Sequence, residues 1–130
     1  MTVNYTLPVI NARLQAVADA IDSGGGNGSL ILTAASATVS TISLARPCGV
    51  VNGGVLTFSG TLLDPSAVGS ANPVDSATIT NSAGVVEAYG LTVGVPPSSG
   101  YDILISNGIN NTVISAGQTV QVLSAQITGS

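Results

Sequence analysis

From residue 29 onward the chain alternates apolar and polar side chains with a period of two, in short runs, and never returns to helical spacing. A period of two places successive side chains on opposite faces of a strand. Residues 29–33 and 38–45 read as strands. In the second, Val39, Thr41 and Ser43 alternate with Ser40, Ile42 and Leu44. Residues 50–58 read as a hairpin that turns at Asn52-Gly53 or Gly53-Gly54, and 77–80 with 85–89 as another around Asn81-Ser82-Ala83-Gly84. Residues 64–75 hold Asp64-Pro65 and Asn72-Pro73 and read as a surface loop. Runs at 91–95, 101–106, 112–115 and 119–128 complete the set. Short strands with turn signals about every 8–12 residues, and no second helical stretch for parallel crossovers, predict an all-β fold. The expected architecture is a two-sheet β-sandwich, jelly-roll or Greek-key like.

Residues 1–23 follow another period. Pro8 suits the first turn of a helix, and residues 11–21 contain neither Gly nor Pro. Val3, Leu7, Ile10, Leu14, Val17 and Ile21 are spaced by alternating steps of four and three. That is the stripe of a coiled coil, so the chain should begin with a short α-helix whose stripe is an assembly seam. Asp19 and Asp22 lie at the end where they oppose the helix dipole. A helix this short therefore needs a surface to dock on: its own sheet, equivalent helices around a symmetry axis, or a neighbouring protein. Ser23-Gly24-Gly25-Gly26-Asn27-Gly28 stops it and reads as a flexible joint. The expected division is a helical arm with its joint over residues 1–28 and a β-sandwich domain over 29–130 that folds without the arm.

The composition excludes much chemistry. Among 130 residues there are two basic side chains, Arg13 and Arg46, six acidic ones and no His, for a net charge of −4. Without His or Lys no abundant Ser or Thr has the usual side-chain base beside it. Without a basic stripe or many aromatic rings the chain is not expected to bind nucleic acid. No apolar run reaches membrane-spanning length, and no basic leader precedes one, so the expectation is a product of the cytoplasm that stays off membranes. Cys48 has no His to activate it and reads as a buried thiol. Asp64 and Asp75, with Ser66, Ser70 and Asn72 between them, could form a weak calcium loop, but such acids are more often turn residues. No catalytic residue, metal or cofactor is expected. Only 6% of residues are charged and the mean hydropathy is +0.55, whereas globular chains carry about 25% charge. A surface so poor in charge suits a chain covered by copies of itself or by another protein.

The order of segments resembles a known group. Asn4-Tyr5-Thr6, the helix over residues 12–22 running into the Gly-rich joint, Gly54-Val55-Leu56-Thr57-Phe58-Ser59-Gly60, Gly90-Leu91-Thr92-Val93-Gly94 and Ser115-Ala116-Gly117-Gln118-Thr119-Val120 carry the likeness. Together they resemble small virion proteins of tailed bacteriophages and prophages, encoded near the major capsid gene. The resemblance spans nearly the whole chain and implies a non-enzymatic capsid decoration (cement) protein on the outside of the virion. It implies the major capsid protein as partner and a trimer as the homo-oligomer. Its motifs are structural, and they assign no functional residue. A head fibre, tail fibre or adhesin domain that binds host-surface glycan is the alternative, and a hydrolase using Asp64 or Asp102 is a third reading.

Overall fold

A computed structural model describes residues 5–60, 62–69, 72–94, 101–106 and 114–128. Among them one helix, α1 (Leu7–Ile21), precedes ten strands. These are β1 (Ser29–Ala34), β2 (Ala37–Ser43), β3 (Gly49–Asn52), β4 (Val55–Phe58), β5 (Leu63–Asp64), β6 (Ser76–Thr80), β7 (Val86–Leu91), β8 (Val93–Gly94), β9 (Ile103–Ser106) and β10 (Val120–Thr128). One sheet has the order β2-β1-β6-β7; the other runs β3-β4-β10-β9-β8, with β5 also paired to β10. All pairings are antiparallel except β8 with β9. The chain is an all-β two-sheet sandwich with one short N-terminal helix. Val3, Ser70 of the candidate calcium loop, and residues 95 and 112–113 of the expected strands lie outside the described residues.

Alternation does the work in β1, where Leu30, Leu32 and Ala34 point into the core and the residues between them are half-buried. Bulges alter that phase in β7, where the ladder with β6 shifts twice, and in β10 and β2. In β10 the pairing jumps between Val122 and Ser124, leaving Leu123 as the extra residue. The inward positions accordingly switch from Val120 and Val122 to Ala125 and Ile127, because one inserted residue flips every later side chain. In β2 the extra residue is Val39, between Thr38 and Ser40 in the ladder with β1. Both Val39 and Ser40 are buried there, and the Val39 carbonyl accepts the N–H groups of Val68 and Gly69 at 2.9 and 3.1 Å. The loop after β5 thus folds back over the bulge and satisfies it.

The turn from β1 to β2 was not marked by Gly or Asn. Ala35 and Ser36 occupy it with φ of +49° and +69°, in the left-handed region that side chains disfavour. The Asp75 carboxylate accepts the Ala35 N–H at 3.3 Å and helps to hold it. Replacing Ser36 with Gly should relieve this strain and raise stability by up to about 1 kcal/mol. A urea midpoint that falls in Ser36→Gly would show that the turn is not strained.

The expected arm lies against the sandwich. Leu14, Ala18 and Ile21 are buried in the same core as both sheets, and Ile10 and Val17 pack against it. Only Leu7 of the described stripe stands out, 51% exposed. A four-and-three spacing is what any amphipathic helix needs to bury one stripe, so it fits a sheet as well as a bundle of like helices. Here α1 lies on the β3–β4 hairpin and β7. Asn11 Oδ1 accepts the Gly54 N–H at 2.8 Å, and the Asp22 carboxylate accepts the Cys48 N–H at 3.0 and 3.3 Å.

The joint is docked as well. Ser82 Oγ donates to the Ser23 carbonyl at 3.2 Å, and the Gly28 carbonyl accepts the Leu44 N–H at 2.9 Å. Gly28 itself passes so close to β6 that a Cβ would fall 2.5 Å from the Thr80 carbonyl oxygen and 2.8 Å from Ile21 Cγ2. Its glycine serves close packing as much as chain freedom.

Candidate functional site

The acids were the first candidates for chemistry, and each is occupied with holding the chain. Asp64 Oδ2 accepts the hydroxyl of buried Ser40 at 2.6 Å, while Oδ1 accepts the Ser66 N–H at 3.1 Å. This ties β2 in one sheet to β5 on the other. Asp75 holds the β1–β2 turn and Asp22 the segment before β3, as described above. Asp102 Oδ2 accepts both the N–H of Thr92, at 3.0 Å, and its hydroxyl, at 3.3 Å. Glu87 Oε1 accepts from Asn81 Nδ2 at 3.2 Å, and Asp19 Oδ1 from Gln15 Nε2 at 3.0 Å. Asp64 and Asp75, the candidate calcium pair, are thus turned to separate tasks. Among the described residues no group of three or more His, Cys, Asp or Glu gathers in one place. Nor does any buried side-chain nitrogen or oxygen among them lack a hydrogen-bond partner.

Arg13 and the thiol also have neighbours within the chain. Arg13 stacks its guanidinium over the Tyr5 ring, 4.7 Å from the centroid, on the exposed side of α1. Arg46 is exposed in the connection between β2 and β3. Cys48 is buried beneath the end of α1, and its Sγ faces the Ala18 carbonyl at 3.9 Å. Burial pushes its thiol up from 9.0 to about 12, and the neighbouring Asp22 charge adds to the shift. The thiolate is the nucleophile, so Cys48 should be inert to a disulfide reagent in the native state at neutral pH and react on unfolding.

The same shift gives a pH dependence with a definite sign. Between 9.0 and about 12 the unfolded thiol is ionised while the folded one keeps its proton. The unfolded state then binds fewer protons, so this contribution is complete below pH 9 and is lost as pH rises above it. Tm should fall more steeply above pH 9 in the parent chain than in Cys48→Ala. Equal slopes in the two chains would contradict the burial of the thiol.

The described residues also form a concave feature. A cavity of about 220 Å³ lies between β7 and the end of β10, lined by Tyr89, Gly90, Leu91, Asp102, Ile127 and Thr128 among others. Tyr89 is 80% exposed, whereas Leu91 is buried and Ile127 partly buried. The sequence pointed to Asp102 only as one scattered acid and did not connect it with Tyr89. The signal available was an aromatic residue on a strand, in a chain with three Tyr and one Phe.

Compared with protein-family models, curated proteins and solved structures, the chain matches none.

Proposed function

We propose that the chain is a non-enzymatic structural subunit of a virion, a decoration protein that binds the major capsid protein on the outside of a tailed-phage head. The observation that supports this best is how its few reactive groups are used. The six acids hold turns, strands or neighbouring side chains, and the thiol is buried and kept protonated. What the surface offers is apolar: Tyr5, Leu7 and Val9 at the start of α1, Val68 on the loop over the β2 bulge, and Val85 and Val86 at the start of β7 are all more than 40% exposed. Covering such area contributes about 25 cal/mol per Å². A net charge of −4 on 130 residues leaves little repulsion between copies. The segment order that resembles phage virion proteins supports the same reading.

A trimer is the expected assembly, although the stripe of α1 is mostly spent on the core. Contacts between copies would then fall to the exposed apolar residues just named. Light scattering at micromolar concentration tests this, and a well-behaved monomer would remove the trimer from the free state. The function is tested by purifying phage particles from the strain that encodes the chain and imaging them by cryo-electron microscopy. Many copies on the outer face of the head are expected. Absence from the particles would overturn the proposal, and a few copies at one vertex or on the tail would favour a fibre.

A further inference from the structure

We propose that the cavity between β7 and β10 is a binding site for a single neutral hexopyranose unit. This goes beyond the shell-binding reading and does not rest on it.

The size sets the class of ligand. About 220 Å³ is below the roughly 300–1,000 Å³ of sites for drug-sized molecules, and it has room for one substituted six-membered ring. The walls set the chemistry. Tyr89 belongs to β7, which has a neighbouring strand on one side only. Its ring buries little against the protein, so the fold gains little from having an aromatic residue there. Tyr5, by contrast, carries the Arg13 guanidinium. The exposed Tyr89 ring offers a flat apolar surface for the C–H face of a sugar, and its hydroxyl offers a donor and acceptor.

Asp102 supplies a fixed acceptor beside that ring. Its Oδ2 takes two bonds from Thr92, and its own N–H donates back to Thr92 Oγ1 at 2.9 Å. The two bonds to Oδ2 orient the carboxylate without filling it, and the third ties the Asp102 backbone to the same residue. A carboxylate accepts about four hydrogen bonds, and Oδ1 receives none from the described residues. A locked carboxylate acceptor can take a pair of adjacent sugar hydroxyls, and Thr128 lines the same cavity. Gly90 lies in the same wall between Tyr89 and Leu91, and a Cβ there would meet nothing within 4 Å.

Charge narrows the choice. The cavity is lined by one acid and no base, so phosphate, sulfate and carboxylate groups are repelled. A guanidinium or ammonium group would be drawn to Asp102, but it would leave the hydroxyls of Tyr89 and Thr128 without a role as donors. A neutral polyol uses the ring, the acceptor and the hydroxyls together.

The test is nitrogen–proton correlation NMR of the full chain titrated with methyl β-glucopyranoside, methyl β-galactopyranoside and methyl N-acetyl-β-glucosaminide. Glucose 6-phosphate and N-acetylarginine methylamide serve as the charged probes. At least one neutral glycoside should give saturable shifts at millimolar concentration, at Tyr89, Gly90, Asp102 and Thr128. Tyr89→Ala, at a position too exposed to endanger the fold, should weaken binding by about tenfold or more, and Tyr89→Phe should keep most of it. Asp102→Asn should weaken it as well while the spectrum stays that of the folded chain. No saturable shift from any glycoside up to about 50 mM would overturn the proposal. So would shifts that ignore Tyr89→Ala, or tighter binding of the arginine derivative than of every glycoside.

Discussion

Removal of residues 1–23 is expected to leave a chain that does not fold. The deletion takes Leu14, Ala18 and Ile21 out of a core in which each is no more than 4% exposed. It also bares the face of the β3–β4 hairpin and β7 on which the helix lies, and cuts the bonds from Asn81 and Ser82 to Ser23. Truncating one buried Leu or Ile to Ala costs about 2–5 kcal/mol, against a net stability of roughly 5–15 kcal/mol for a whole domain. Losing two such side chains together with their helix consumes most or all of that margin. Leu14→Ala and Ile21→Ala should each lower stability within the single-residue range, whereas Leu7→Ala should change it by less than about 1 kcal/mol. Circular dichroism and urea unfolding decide the matter. A truncated chain that stays soluble, β-rich and cooperative on melting would restore the picture of a separable arm.

Gly69→Ala is expected to be a severely damaging single methyl group, because it combines positive φ with a backbone clash. Gly69 has φ of +84°, and a Cβ there would run into the backbone of Ser115 and Ala116. Neither neighbour is free to move. The Gly69 N–H is held by the Val39 carbonyl, and Ala67 exchanges bonds with the opposite turn through Gly117 and Gln118 at 2.7 and 2.9 Å. Strain in φ alone costs on the order of 1 kcal/mol, and the steric term adds to it, so a loss of about 3 kcal/mol or more is expected. Gly117→Ala separates the two effects. That glycine has φ of +81° with nothing within 4 Å of its Cβ position, so it carries only the backbone cost. Unfolding free energies of the two variants from urea titration should differ by about 2 kcal/mol, and similar values would mean that the two loops are not packed as described.

These features show where sequence reading reaches and where it stops. Leu30, Leu32, Ile42 and Ile79 announce their strands because a half-buried strand must alternate, and the turn at Asn52-Gly53-Gly54 announces itself by residues that tolerate positive φ. Ala35 and Ser36 take positive φ without a residue type that advertises it, since tertiary contacts from Asp75 hold the turn. The stripe on α1 was legible as apolar, but a period records only that one face is buried. It does not say whether the burying surface belongs to another chain, and here the domain supplied its own. Bulges at Val39 and Leu123 were invisible because they depend on the partner strand's register. That Tyr89 and Asp102 line one cavity was equally hidden, for the cavity forms only where the last strand of one sheet meets the end of a strand in the other. Asp64 read as a turn opener, which it is through Ser66, yet its bond to Ser40 across the sandwich carries no local signal.

The placement of Cys48 has a kinetic consequence. Its sulfur sits where the last turn of α1 meets the chain entering β3, so a labelling reagent reaches it only when that contact comes apart. The labelling rate is then a clock for the opening of one joint in the molecule, with no engineered tag. If α1 lifts alone, the rate will depend only weakly on urea; if it lifts only when the sandwich melts, the rate will follow global unfolding. Mass spectrometry of the single thiol would thus report whether the helix is the first part of this fold to let go.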